Sequence, residues 1–240
     1  MILIYRTVMY ILGIETSTKT GGAAVVSEDG VVAHYSLNIE VTYSERLMST
    51  IDRVIRDAGL ELPAIDGFAV SIGPGSFTGL RVGLSTVKGL AFATGKSVAA
   101  VPTLRALAWN LPYSAYPVCP MLDARKNQVY AALYRYEGPA LVLIMEETAI
   151  SLEELAGRIP GQTVFTGEAS RLYRAEIRKA LGERALFAPP SSCSPSAASV
   201  AEIGLSMIKS GGAVDPDSLT PMYIRRPEAE VAWEKRQKAT

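Results

Sequence analysis

Short apolar runs at strand spacing open the chain, and helical spacing takes over near residue 43. Tyr10–Ile14, Gly22–Ser27 and Val31–Leu37 read as three strands, with Glu28-Asp29-Gly30 a tight hairpin signal between the last two. Leu47, Ile51, Val54, Ile55 and Ala58 then recur on one helical stripe. Thr42 and Glu45 have capping-box spacing, so a helix is predicted from Tyr43 to Gly59. A fourth strand, Gly67–Ile72, leads through a glycine-rich turn into a second helix, Leu80–Thr94, which Gly95 ends. Ser97–Val101 reads as a fifth strand, and Pro102-Thr103 opens a third helix to Asn110.

Pro112 to Pro117 has no periodicity and reads as a linker, after which the pattern restarts. Val118–Leu122, Gln128–Tyr136 and Ala140–Ile150 are predicted strands, and Ser151 with Glu154 caps a helix. Thr163–Thr166 is a strand, Glu168–Leu181 a helix, and Ser194-Pro195 opens a last helix over Ser196–Ser210. Both halves read β-β-β-α-β-α, and the first strand of each ends in an acid, Glu15 or Asp123. That duplication is the plan of the actin-like ATPase superfamily, an α/β fold with two RNase H-like lobes around a cleft. The expected division is an N-terminal lobe over 1–111, a C-terminal lobe over 112–227 and a charged tail over 228–240.

The densest signal is Gly73-Pro74-Gly75-Ser76-Phe77-Thr78-Gly79-Leu80-Arg81. Glycines permit positive φ, and a following helix adds the positive end of its dipole. Gly73, Gly75, Ser76, Thr78 and Gly79 therefore form a candidate anion nest. The alternative is a tight strand-to-helix turn with close packing. No Gly-Lys-Ser/Thr follows, so the string is not a P-loop, and its last gap is wrong for the dinucleotide fingerprint.

Taken whole, the string resembles the signature of the TsaB (YeaZ) family, the bacterial tRNA threonylcarbamoyladenosine biosynthesis protein B. Other landmarks match in order from about Met9 to Arg226: Ile11-Leu12-Gly13-Ile14-Glu15-Thr16-Ser17, Tyr43-Ser44-Glu45-Arg46-Leu47, Leu122-Asp123-Ala124-Arg125 with Val129-Tyr130, and Pro221-Met222-Tyr223-Ile224-Arg225. Residues 1–8 precede the point where that family begins; an upstream start and an extra strand lead-in both fit. The resemblance implies a non-catalytic scaffold in the complex that makes N6-threonylcarbamoyladenosine beside the tRNA anticodon. Its partners would be the homologous catalytic subunit TsaD and the ATPase TsaE, with a homodimer possible and tRNA met only through the complex. ATP and Mg²⁺ are implied for the complex, and no cofactor for this chain alone. The first two helices would carry the interface, with Ser44, Leu47, Met48, Ile51, Gly75, Gly79, Val82, Gly83 and Thr86 as candidate contacts. Small residues on the second helix fit an external helix or tight internal packing equally well.

Composition narrows the alternatives. Lys plus Arg equals Asp plus Glu, so no global charge draws the chain to nucleic acid. No apolar run approaches a membrane span, no signal peptide is read, and Cys119 and Cys193 have no ligand spacing, which fits a reducing cytoplasm. The single histidine, His34, sits on a predicted edge strand and cannot supply a His-x-x-x-His metal site. It is equally remote from serving a serine nucleophile. An actin-like ATPase needs a glycine- or hydroxyl-rich hairpin after each acid. Thr16, Ser17, Thr18, Gly21 and Gly22 suit that role in the first half, whereas Asp123-Ala124-Arg125-Lys126-Asn127 has no glycine and bulky side chains where a phosphate would sit. Glu15 and Asp123 are otherwise expected to cap turns and pair with nearby Arg or Lys. The rival reading is a free-standing ATP-dependent kinase or hydrolase using the cleft.

Overall fold

The structure, a computed structural model, describes residues 8–38 and 43–225. The Thr42 half of the predicted capping box and the charged tail lie outside the described residues, as does nearly all of the segment before Met9. Strands β1 (Ile11–Glu15), β2 (Thr20–Ser27), β3 (Gly30–Asn38), β4 (Gly67–Gly73) and β5 (Ser97–Pro102) form one sheet in the order β3-β2-β1-β4-β5. The first three are antiparallel because tight turns join them; β4 and β5 run parallel to β1 because helices α1 (Tyr43–Asp57) and α2 (Phe77–Thr94) intervene. Ser76 caps α2 by accepting the Gly79 amide at 3.2 Å, and Gly95 closes it at φ 67°. Helix α3 (Thr103–Trp109) follows.

The second sheet repeats the plan. It holds β6 (Val118–Asp123), β7 (Gln128–Glu137), β8 (Ala140–Ser151), β9 (Thr163–Thr166) and β10 (Ala185–Phe187) in the order β10-β9-β6-β7-β8. Read from the other edge, this is the order of the first sheet, and two such lobes make the actin-like, RNase H-like arrangement. Helix α4 (Leu152–Arg158) starts with the predicted capping box of Ser151 and Glu154. The single helix predicted over 168–181 is two, α5 (Glu168–Leu172) and α6 (Arg174–Leu181), because Tyr173 leaves helical geometry at φ −104° and ψ 24°. The pattern did not predict β10, whose three residues are too few to show a period.

Helix α7 (Ala197–Lys209) corrects the expected extent of the second lobe. It packs against β1, β2, β4 and β5, not against the second sheet. The cause is an apolar face left open by α1 and α2, which bury Leu47, Ile51, Val54, Leu80, Leu84 and Val87 on the opposite side. Ile11, Val26, Ala69, Ala99 and Val101 need a cover, and α7 supplies Val200, Ala201, Ile203 and Leu205. Glycine permits the approach: a Cβ at Gly204 would collide with Ala69, and one at Gly13 with the Ala197 carbonyl. Helix α3 lies between the sheets, with Leu104, Leu107 and Ala108 packed among Val118, Leu122, Ala132 and Tyr134.

Gly204→Val is expected to destabilise the protein by about 1–3 kcal/mol through overpacking, visible as a Tm lower by several degrees in thermal unfolding. An unchanged Tm would contradict the close docking of α7.

Candidate functional site: the interlobe cleft and the outer face of the first two helices

A cleft of about 810 Å³ separates the lobes, walled by Ser17 to Lys19 and Pro74 to Thr78 on one side and by Leu122 to Arg125, Tyr130 and Glu168 on the other. The turn after β1 is built around Glu15, whose Oε1 accepts the Ser17 amide and the Ser17 hydroxyl, each at 2.5 Å. Glu15, Thr16 and Ser17 are all buried. Tyr43 fixes the rest of the turn by donating to the Thr18 carbonyl at 2.7 Å. The glycine string packs on this turn backbone to backbone. The Ser76 amide donates to the Ser17 carbonyl at 2.6 Å. A Cβ at Gly75 would strike Ser17, one at Gly79 the Thr16 carbonyl, and one at Gly83 the Thr16 hydroxyl.

The anion-nest expectation is changed accordingly. Gly75, Ser76 and Thr78 line the cleft, whereas Gly73 and Gly79 are buried behind it. The Ser76 and Gly79 amides are taken by Ser17 and by the Ser76 hydroxyl. The string is first a close-packing device.

Burial pushes the Glu15 carboxyl up to about 7, outweighing the opposing bonds from Ser17. Ser71 is near enough to favour the ionised form slightly, but neither its hydroxyl nor Glu15 Oε2 makes a well-formed hydrogen bond. Glu15 thus takes its partners from Ser17 and not from the Arg or Lys expected.

Asp123 does cap its turn, accepting the Arg125 amide at 2.9 Å, and the Tyr173 hydroxyl donates to the same oxygen at 3.3 Å. The turn has no glycine, yet Arg125, Lys126 and Asn127 all take positive φ, at 60°, 53° and 57°. Such geometry costs roughly 1 kcal/mol per residue or more, so the surroundings must hold it. Arg125 lines the cleft where the first lobe has hydroxyls.

The candidate contacts divide by burial. Leu47, Ile51, Gly79 and Gly83 are buried within the chain, because their face of each helix meets the sheet or the β1–β2 turn, and Gly75 is half-buried against Ser17. Ser44 and Met48 on α1 are exposed, and Val82 and Thr86 on α2 are half-buried. Phe92 near the end of α2 is 91% exposed. His34 is exposed on the edge strand β3, and no group of three or more His, Cys, Asp or Glu placed to hold a metal ion occurs among the described residues. Cys119 and Cys193 are buried free thiols, and burial pushes that of Cys119 up. No helix among the described residues is long and apolar enough to cross a membrane. Tyr223 and Arg225 also line the cleft, a placement that their sequence motif does not signal.

Residues 32–233 match the model of the family described as TsaD, tRNA N6-adenosine threonylcarbamoyltransferase. The tRNA threonylcarbamoyladenosine biosynthesis protein TsaB of Bacillus subtilis is 30% identical over 233 residues, covering 96% of this chain and 100% of the relative. The chain belongs to the TsaB family. The TsaB of Escherichia coli is 27% identical, with 95% of this chain and 98% of that protein covered. The solved structure of YeaZ from Pseudomonas aeruginosa superposes with a TM-score of 0.76 at 25% identity, over 90% of this chain and 99% of that one. The stretches that mark this TsaB family member, the glycine string and the segment around Glu15, are those that meet at the cleft.

Because Glu15 binds its proton more tightly folded than unfolded, its protonation stabilises the fold. The contribution is full below about pH 4.5 and is lost as pH rises through about 7. Glu15→Gln keeps an acceptor for Ser17 and removes the buried charge. Urea unfolding should show the variant gaining on the wild type between pH 5 and pH 8, by at most about 3 kcal/mol. Parallel stability profiles for the two would contradict the assignment.

Proposed function

We propose that the chain acts in threonylcarbamoyladenosine biosynthesis as a non-catalytic scaffold and activator. On this reading it docks the homologous catalytic subunit TsaD through the outer face of α1 and α2, and the ATPase TsaE joins the pair. TsaD transfers the threonylcarbamoyl group to tRNA, ATP and Mg²⁺ serve the complex, and the chain works in the cytoplasm, where tRNA is modified. The same face offers a homodimer contact when TsaD is absent.

The observation that carries this is the division of the first two helices into two faces. Their inner sides are consumed by the first core and the β1–β2 turn, while Met48 is 57% and Phe92 91% exposed. Large exposed apolar side chains on neighbouring helices suit a partner surface. Equal numbers of acidic and basic residues agree with tRNA being met through the complex.

The deciding assay is reconstitution of the modified nucleoside from TsaD, TsaE, ATP, Mg²⁺, tRNA and threonylcarbamoyl-adenylate, with and without this chain. Product should require it, and an equal rate without it would overturn the role. Met48→Asp and Phe92→Asp, both at exposed positions, should stay folded by circular dichroism and weaken TsaD binding at least about tenfold, the cost of one hot-spot contact. Mg-ATP should bind the isolated chain no more tightly than about 1 mM, or about 4 kcal/mol. Micromolar binding in calorimetry would favour the kinase or hydrolase alternative.

A further inference from the structure

The chain after α7 does not end on the first lobe. Leu219 is buried in the first core, and the Met222 amide donates to the Ile72 carbonyl at 2.7 Å beside the glycine string. A Cβ at Gly73 would come within 2.7 Å of the Met222 carbonyl oxygen, so the strand end and this segment share one narrow space. The Tyr223 ring stacks on Phe77 at 5.4 Å, and Arg81 Nε donates to the Tyr223 hydroxyl at 3.1 Å while its guanidinium lies over Phe77. Two residues on, the chain reaches the other lobe. Arg225 Nη1 donates to the Ala124 carbonyl at 3.1 Å, and Nη2 donates to Gln128 Oε1.

Those acceptors bracket the Arg125-Lys126-Asn127 run of positive φ. The lobes are joined at their base by α3 and by the chain crossing from β10 to α7, to which Asn110 is bonded, and Met222, Tyr223 and Arg225 all line the cleft. We infer that Tyr223 and Arg225 form a clasp across the cleft that sets the distance between the lobes and holds the Asp123–Gln128 turn in its left-handed geometry. The first anchor is aromatic and sits on the opening turn of α2. The second is a charged fork on carbonyl and amide oxygens, which are strong acceptors for arginine. With Arg225 removed, α3 and the crossing from β10 to α7 are left as the hinge, and the turn keeps its internal hydrogen bonds but loses two restraints from the C-terminal segment.

The test uses the full chain with spin labels on cysteines placed at exposed Ser85 and Arg171; the native thiols are buried. Arg225→Ala should broaden the distance distribution between the labels. It should also speed amide exchange in the 123–128 turn about tenfold, the scale of one charge-assisted hydrogen bond. Arg225→Lys, which keeps the charge but has a single donor nitrogen in place of the fork, should recover part of both effects. A folded Arg225→Ala with the wild-type distance distribution would overturn the clasp. If that variant does not fold, Gln128→Ala, which leaves Arg225 only the Ala124 carbonyl, carries the same two measurements, and an unchanged distribution overturns it equally.

Discussion

The fold hangs on a contact between two stretches of backbone. The turn after β1 and the string from Gly73 to Gly83 lie so close that no Cβ fits at Gly75 or Gly79 without striking Ser17 or Thr16. This contact seats the first turn of α2 against the end of β1, which shuts Glu15 away from water. It also decides which side of α2 is inward. Leu80, Leu84 and Val87 follow onto the sheet, Val82 packs at the edge of the same core, Thr86 is half-buried, and Phe92 is left outside. A partner face and a buried acid are therefore two results of one close approach.

Most elements were legible because their signals are local. Gly95, Ser151 with Glu154, and the Glu28-Asp29-Gly30 hairpin each specify a terminus through a cap or a turn within a few residues. The failures are non-local. A stripe of small residues such as Gly79 and Gly83 reads the same whether a neighbouring chain or the protein's own backbone fills the groove. The period over Ala197–Lys209 announces a helix but not which sheet lacks a cover. Left-handed geometry at Arg125 and Lys126 leaves no trace, because glycine is its usual marker and one of the contacts on the turn comes from Arg225, about a hundred residues away in the chain. Tyr173 breaks the predicted helix while reaching for Asp123, fifty positions earlier.

The duplicated lobes share strand order and little chemistry. At the tip of β1 the acid is sealed in and bonded to its own turn. At the tip of β6 the acid borders the cleft, takes a tyrosine hydroxyl and is followed by arginine and lysine. A pair of matched phosphate clamps would require similar turns on both sides. The asymmetry instead suits a protein that keeps the two-lobed frame and has given its two turns different work, packing in one lobe and a cleft-lining arginine in the other.

The placement of α7 bears on how the molecule is made. Everything from β6 to β10 is spliced into the first lobe, between α3 and the helix that completes it. A ribosome releases Ile11, Ala69 and Val101 long before it releases Val200 and Ile203, which cover them. The first lobe to be synthesised is thus the last to be sealed, and the second can close its own core, around Phe165 and Ile177, while the first still waits with one apolar face open.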